Sequence, residues 1–378
     1  MQYIYNALII ATIIITQCIQ AIDNPHFYRA TNMFLEPRLE HNYLTTFNIT
    51  LGGGKTEKGR NSNNHIVPIF NIYGNNIIPA LGDDNAHLSL DGTFKIIEAN
   101  ISLAQNLSHG IFLFFYLPVR SLTLSNISTN IPFNTFSSLL APYGINANPT
   151  TSTGCGDLSS WIGYTHNYQE TETLDFIDMT FMAGFLAPTG KTRNEQSLFS
   201  LPTGYNGHWG VPLCGILSVG FYEWVTLGTY INSLFFAKRE SAIRLKTDPD
   251  QTGFIKLASG DVTIYKEPLL NTGVYFKADH FGHGFSFTAA YSFALQGSDR
   301  LTPHNADMFN TSVINSDPTL KGWNMHTVNF LVEYDFTQED AKKGNRFGLF
   351  YNLQCAGKRT FNTNIAGGMY GLDISWSF

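Results

Sequence analysis

Gly367-Gly368-Met369-Tyr370-Gly371-Leu372-Asp373-Ile374-Ser375-Trp376-Ser377-Phe378 closes the chain and decides the reading of its fold. Taken two at a time, Tyr370, Leu372, Ile374, Trp376 and Phe378 form one face. Gly371, Asp373, Ser375 and Ser377 form the other. A period of two marks a strand whose faces meet different surroundings. The strand runs to the last residue, an aromatic on the apolar face, where soluble domains usually carry a frayed polar tail.

The same alternation recurs upstream. In 284–296, Phe285, Phe287, Ala289, Tyr291, Phe293 and Leu295 oppose Ser286, Thr288, Ala290, Ser292 and Gln296. Segments 324–336, 346–355, 174–187 and 270–279 behave alike, with weaker candidates at 43–53, 93–104, 110–120, 157–167, 211–222 and 224–237. In 110–120 aromatics occupy both faces, which leaves its register open. With 368–378 the count is about twelve, each near the length of a tilted membrane strand. The connections alternate. Short ones fall near 105–109, 168–173, 223, 280–283 and 338–344. Long, polar, turn-rich ones occupy 54–92, 121–156, 188–210, 238–269 and 297–323, with a medium one at 358–367.

A chain that ends on an amphipathic strand with a terminal Phe resembles a bacterial outer-membrane β-barrel. That resemblance implies that Phe378 is read by the barrel-assembly machinery. The expected fold is all-β: one up-and-down antiparallel transmembrane barrel of about twelve strands over 42–378. An open sheet edge cannot persist in lipid, so spanning strands must close.

Composition agrees. Charged residues make up 14% of the 378, against roughly 25% in soluble proteins. Aromatics reach 14%, with 30 Phe and 18 Tyr, yet mean hydropathy is −0.07. This suits an apolar exterior around a polar lumen. Beyond the N-terminus no apolar run approaches the roughly 20 residues of a spanning helix. A net charge of −6 argues against a nucleic-acid partner.

Ala7 to Ile15 is an apolar core of signal-peptide length, which gives 1–21 as a secretory signal, although the first six residues lack Lys or Arg. Residues 22–41 are expected in the periplasm or the lumen. Cys18 falls in the signal. Cys155, Cys214 and Cys355 are odd in number and irregular in spacing, so neither a disulfide framework nor a metal site follows. No cofactor is implied.

Gly184 to Thr192 ends like a phosphate-binding loop, but the required glycine position holds Phe185 and an amphipathic strand precedes it. Gly154-Cys155-Gly156-Asp157-Leu158-Ser159, Gly163-Tyr164 and Pro188-Thr189-Gly190-Lys191 resemble a hairpin of proteobacterial outer-membrane transport barrels. These are the family found around phenol-degradation gene clusters and, more loosely, the long-chain fatty-acid transporters. In that hairpin G-x-G-D-L opens one strand and P-T-G closes the next.

By parity the lumen-facing charges are Glu98, Asp178, Lys277, Asp279, Glu333, Asp335, Arg346 and Asp373, the candidate solute contacts. Opposed charges on a pore wall create a transverse field that orients or selects solutes. Alternatively they pair and fill a closed interior, as in small barrels. Tyr164, Trp224, Tyr334, Tyr351, Trp376 and Phe378 are candidate headgroup girdles.

The expected function is a porin or channel in the bacterial outer membrane for passive diffusion of small solutes. The resemblance extends that range to hydrophobic ones. The expected partners are outer-membrane lipid, the assembly machinery and the solutes; the oligomeric state stays open. Three alternatives stand. A lipid hydrolase would need a His and a Ser or Asn together on the outer rim, and His283 with Ser286 or His326 with Asn329 are the candidates. A plugged barrel would act through its external loops. A secreted β-rich protein would turn its apolar face to a core.

Overall fold

The computed structural model describes residues 44–82, 86–169, 174–222, 224–336 and 343–375. The signal, the segment 22–41, Trp376 and Phe378 lie outside the described residues. Twelve strands form the barrel: β1 (Leu44–Thr56), β2 (Leu90–Ser108), β3 (Ile111–Thr129), β4 (Leu158–Gln169), β5 (Phe176–Ala187), β6 (Gly210–Phe221), β7 (Val225–Phe236), β8 (Leu269–His280), β9 (Phe285–Gln296), β10 (Trp323–Asp335), β11 (Lys343–Lys358) and β12 (Ile365–Ser375). Each pairs antiparallel with its neighbours in sequence, and β1 pairs with both β2 and β12. The sheet is therefore closed and has no edge in the ring.

All twelve strand segments read from the sequence are present. β2 and β3 run further than the alternation suggested. The segment 121–156, expected as a loop, continues β3 to Thr129 and adds a strand Thr150–Cys155 along the upper half of β3. β4 pairs with the lower half. Between the two the chain turns at Gly156, whose amide donates to the Pro118 carbonyl at 2.6 Å. One tight turn shows why the short connections are short. His109 (φ 53°) and Gly110 (φ 79°) both adopt positive φ, the geometry of a two-residue hairpin. A Cβ on Gly110 would lie 2.1 Å from the Thr165 oxygen.

Outward residues are apolar and exposed, among them Leu51, Ile97, Phe181, Leu217, Val274, Phe330 and Leu349. So extensive an apolar surface belongs against lipid rather than water. On β2 the outward positions Leu107 to Ile97 precede an exposed Lys95, which stands in register with exposed Lys55 on β1. Ten residues at strand rise and barrel tilt span about 25 Å, the height of a lipid-facing band. At the short-turn end a run of rings crosses four strands. Phe285 and Tyr334 are 4.7 Å apart, Tyr334 and Phe336 4.5 Å, Phe336 and Phe347 5.7 Å, and Phe347 and Tyr370 5.0 Å. Tyr164, Trp224 and Tyr334 belong to this end. Tyr351 does not, because it pairs in mid-strand with Phe330 and Ala366.

The lumen differs from the uniformly polar interior expected of a pore. At the long-loop end the connections fold inward and pack on inward side chains. One apolar cluster joins Phe70, Phe136, Phe199 and Phe254 from loops to Phe94, Ile96, Phe350 and Met369 from the wall. A second forms beneath a three-stranded sheet of Arg239–Leu245, Ala258–Tyr265 and Arg300–Pro303, against Leu234, Leu269 and Met325. These segments have apolar residues to bury and a dry space to bury them in. The alternation of the barrel strands gives no sign of that.

Candidate functional site: the inner wall and its loop plug

Alternation along each strand puts the eight candidate charges on the inner side of the wall, seven of them in three groups and Asp178 by itself. On β2, Glu98 is 2% exposed. Arg120 of β3 reaches it, Nε to Oε2 at 3.1 Å, and Asn100 donates to its Oε1 at 2.9 Å. Tyr116 donates to Asn100 at 2.7 Å, and Arg120 also donates to the Thr203 carbonyl of a loop at 3.0 Å. This group therefore ties the wall to the plug. On β8, Lys277 and Asp279 pair at 2.6 Å, and Ser286 donates to Asp279 at 2.5 Å.

The third group spans β1, β10, β11 and β12. Arg346 is bonded to Asp373 at 3.0 Å and to Glu333 at 3.4 Å. Asn48 accepts from it at 3.4 Å, and Thr46 donates to Asp373 at 2.7 Å. Asp335 is the register partner of Arg346. Glu333 and Asp373 thus share one guanidinium on a buried wall, with Asp335 in register beside it. Asp178 stands apart on β5, in register with Asn167 and Ser218.

Four of the inward aromatics each lie on a glycine directly opposite on a neighbouring strand. Phe112 faces Gly163, Tyr275 faces Gly228, Tyr230 faces Gly273, and Phe350 faces Gly367. A Cβ at Gly163 would stand 2.2 Å from Phe112 Cζ, and one at Gly228 2.2 Å from Tyr275 Cζ. The rings lie flat on the wall, as aromatics do when they cover glycine in a curved sheet. This also settles β3: Phe112, Phe114 and Tyr116 are inward, and Ile111, Leu113 and Phe115 outward.

The G-x-G-D-L and P-T-G residues meet. Buried Asp157 accepts from the Gly190 amide at 2.8 Å and from the Tyr205 amide. Thr189 Oγ1 donates to the Gly156 carbonyl at 2.7 Å. This knot anchors the loop 188–209, which carries Phe199 into the plug.

Among the loops lies a cavity of about 90 Å³, lined by Tyr73, Arg193, Lys246, Phe254, Lys256 and Asp317 among others. Its charged residues were not among those expected from the sequence, because parity speaks only for strands. Arg120 was missed for another reason: its register stayed open until the Phe112–Gly163 pairing was known.

Of the hydrolase pairs, His326 with Asn329 is not assembled. His326 faces outward toward Tyr291, whose hydroxyl lies 2.5 Å from Nδ1, while Asn329 is wholly buried inside. Ser286 turns to Asp279, and the side chain of His283 lies outside the described residues. Among the described residues no cluster suited to a metal ion occurs.

No family model matches the chain, and no curated protein does. Solved structures do. An outer membrane channel from Pseudomonas putida F1 is 12% identical, with 93% of this chain and 100% of that one covered, at a TM-score of 0.51. The translocator domain of the autotransporter NalP from Neisseria meningitidis is 11% identical over 89% and 91%, at 0.37. The toluene transporter TodX from Pseudomonas putida is 11% identical over 88% and 89%, at 0.33. At such identities the likeness concerns the fold alone: a closed barrel of the outer-membrane type.

Proposed function

We propose that this chain is a channel of the bacterial outer membrane through which small solutes, hydrophobic ones included, diffuse passively. It would be exported on 1–21 and read by the assembly machinery at Phe378. The observation that carries the reading is the division of the lumen. One half carries charged wall groups and aromatics that lie against wall glycines. The other half is narrowed by loops held to the wall by apolar packing and by side-chain bonds such as Arg120–Thr203. Loops outside the closed ring of strand pairing open at lower cost than the ring itself. The eight wall charges would then act as contacts that orient a solute crossing a transverse field.

The alternative, a barrel closed by its plug and acting through its loops, draws support from the aromatic packing of Phe70, Phe199 and Phe254, with centroids 5.3 Å apart for Phe70 with each of the others. Liposome swelling separates the two. Reconstituted refolded protein should admit small neutral solutes faster than empty vesicles do. Vesicles holding folded barrel that swell no faster than empty ones would refute the channel.

A further inference from the structure

We propose that the cavity inside the loop plug is a binding site for a small organic anion, a carboxylate carried on an apolar body. The inference starts from charge. Arg193, Arg244, Lys246 and Lys256 line the cavity, facing Glu195, Asp299 and Asp317. Of these carboxylates Asp299 already faces Lys266, a fifth cation, at 3.8 Å, and Glu195 accepts from Ser259 at 2.5 Å. Five cations therefore meet three carboxylates.

Lys246 is the decisive group. It is 4% exposed, and its ammonium donates to the Pro249 carbonyl at 2.8 Å. An ammonium carries three donors and is costly to bury unless they are used. Lys256, 5% exposed, is better served, with Asp317 at 3.1 Å and the Gly253 carbonyl at 2.7 Å. The guanidinium of Arg193 sits 5.4 Å above the Phe254 ring, so a cation and an aromatic face share one wall. Burial lowers the pKa of Lys256, Asp317 opposes this, and the nearby charges of Lys246 and Arg193 lower it further. Three cations are thus close enough to repel. A carboxylate between them would relieve that repulsion with charge-assisted hydrogen bonds.

The rest of the lining sets the body of the ligand. Tyr73, Ile145, Leu198 and Phe254 are apolar. A volume of about 90 Å³ holds roughly six to nine water-sized groups, the size of a short fatty acid or a benzoate. A bare inorganic anion would leave the apolar wall uncovered. A neutral hydrocarbon would give Lys246 no acceptor beyond the Pro249 carbonyl. That the bound anion is also a transported solute rests on the channel reading; the binding itself does not.

The test is calorimetric titration of the refolded barrel in detergent micelles with benzoate, benzyl alcohol and benzylamine. Benzoate should bind saturably, benzyl alcohol weakly and benzylamine not at all. Lys246→Met should weaken benzoate roughly tenfold or more, the cost of losing a hydrogen bond to a charged group. Asp317→Asn, which keeps a side-chain oxygen for the Thr319 amide, should tighten it. Lys55→Met on the outer wall should leave it unchanged. Heat-modifiable migration on gels checks that each variant is a closed barrel. Benzyl alcohol binding as tightly as benzoate, or benzoate binding that is absent or indifferent to both Lys246→Met and Lys256→Met, would overturn the site. Flux is no part of the readout, so a barrel that binds but does not conduct would sink the channel reading alone.

Discussion

Phe112 on β3 and Gly163 on β4 are register partners, and the phenyl ring occupies the space where a side chain at 163 would begin. The wall is smooth there because one strand gives up its Cβ to the ring of the next. Gly163→Ala should push Phe112 off the wall into the lumen and lower unitary conductance. The double variant with Phe112→Leu should restore most of it. Equal conductance in wild type and Gly163→Ala would mean that the ring does not border the path.

Asp157 and Gly190 are joined at 2.8 Å. Removing a buried charged acceptor that serves two amides should cost about 1.5–3 kcal/mol per bond at most. The loss should fall on the loop, not on the ring of strands. Asp157→Ala is expected to speed protease cleavage within 188–209 while heat-modifiable migration persists. Unchanged cleavage would show that the loop is held elsewhere.

Arg346 holds Asp373 and Glu333 together. Removing one partner from a buried ion network is strongly destabilising, of order 3–5 kcal/mol. Arg346→Gln should lower the denaturant midpoint and shift the reversal potential in a salt gradient toward cations. Lys277→Gln, at a partly exposed pair, should shift selectivity the same way with little loss of stability. A shift toward anions from either variant would contradict the inner-wall assignment.

Lys256 gives a pH test. Burial pulls its folded-state pKa below 10.5. Between that lowered value and 10.5 the unfolded chain binds more protons, so this group's contribution to stability rises with pH across the window. The guanidinium midpoint of wild type should gain on that of Lys256→Met as pH climbs toward 10.5. Parallel pH profiles would show that the lysine is not held in a desolvated site.

The strands were legible because each outward side chain faces lipid and each inward one does not, so membrane insertion writes a period of two into the residues. Twelve segments and their alternating connections followed from that alone. The charged pairs were half legible. Glu333, Arg346 and Asp373 fall inward by parity, but that they converge on one another depends on register, which pairing fixes. Arg120 escaped because Phe112 to Tyr116 made both faces of its strand aromatic. The plug was not legible. Phe70, Phe199 and Phe254 sit in short apolar runs without strand alternation, and only the three-dimensional meeting of distant loops makes them one core. Lys246 and Lys256 were hidden for the same reason.

Planar-bilayer recording on the refolded mature chain tests the central claim most directly. The account predicts stable ohmic steps that enlarge or flicker more when Phe254→Ala loosens the plug, a buried truncation worth about 3–5 kcal/mol. Barrels that insert and stay silent in both wild type and Phe254→Ala would contradict it.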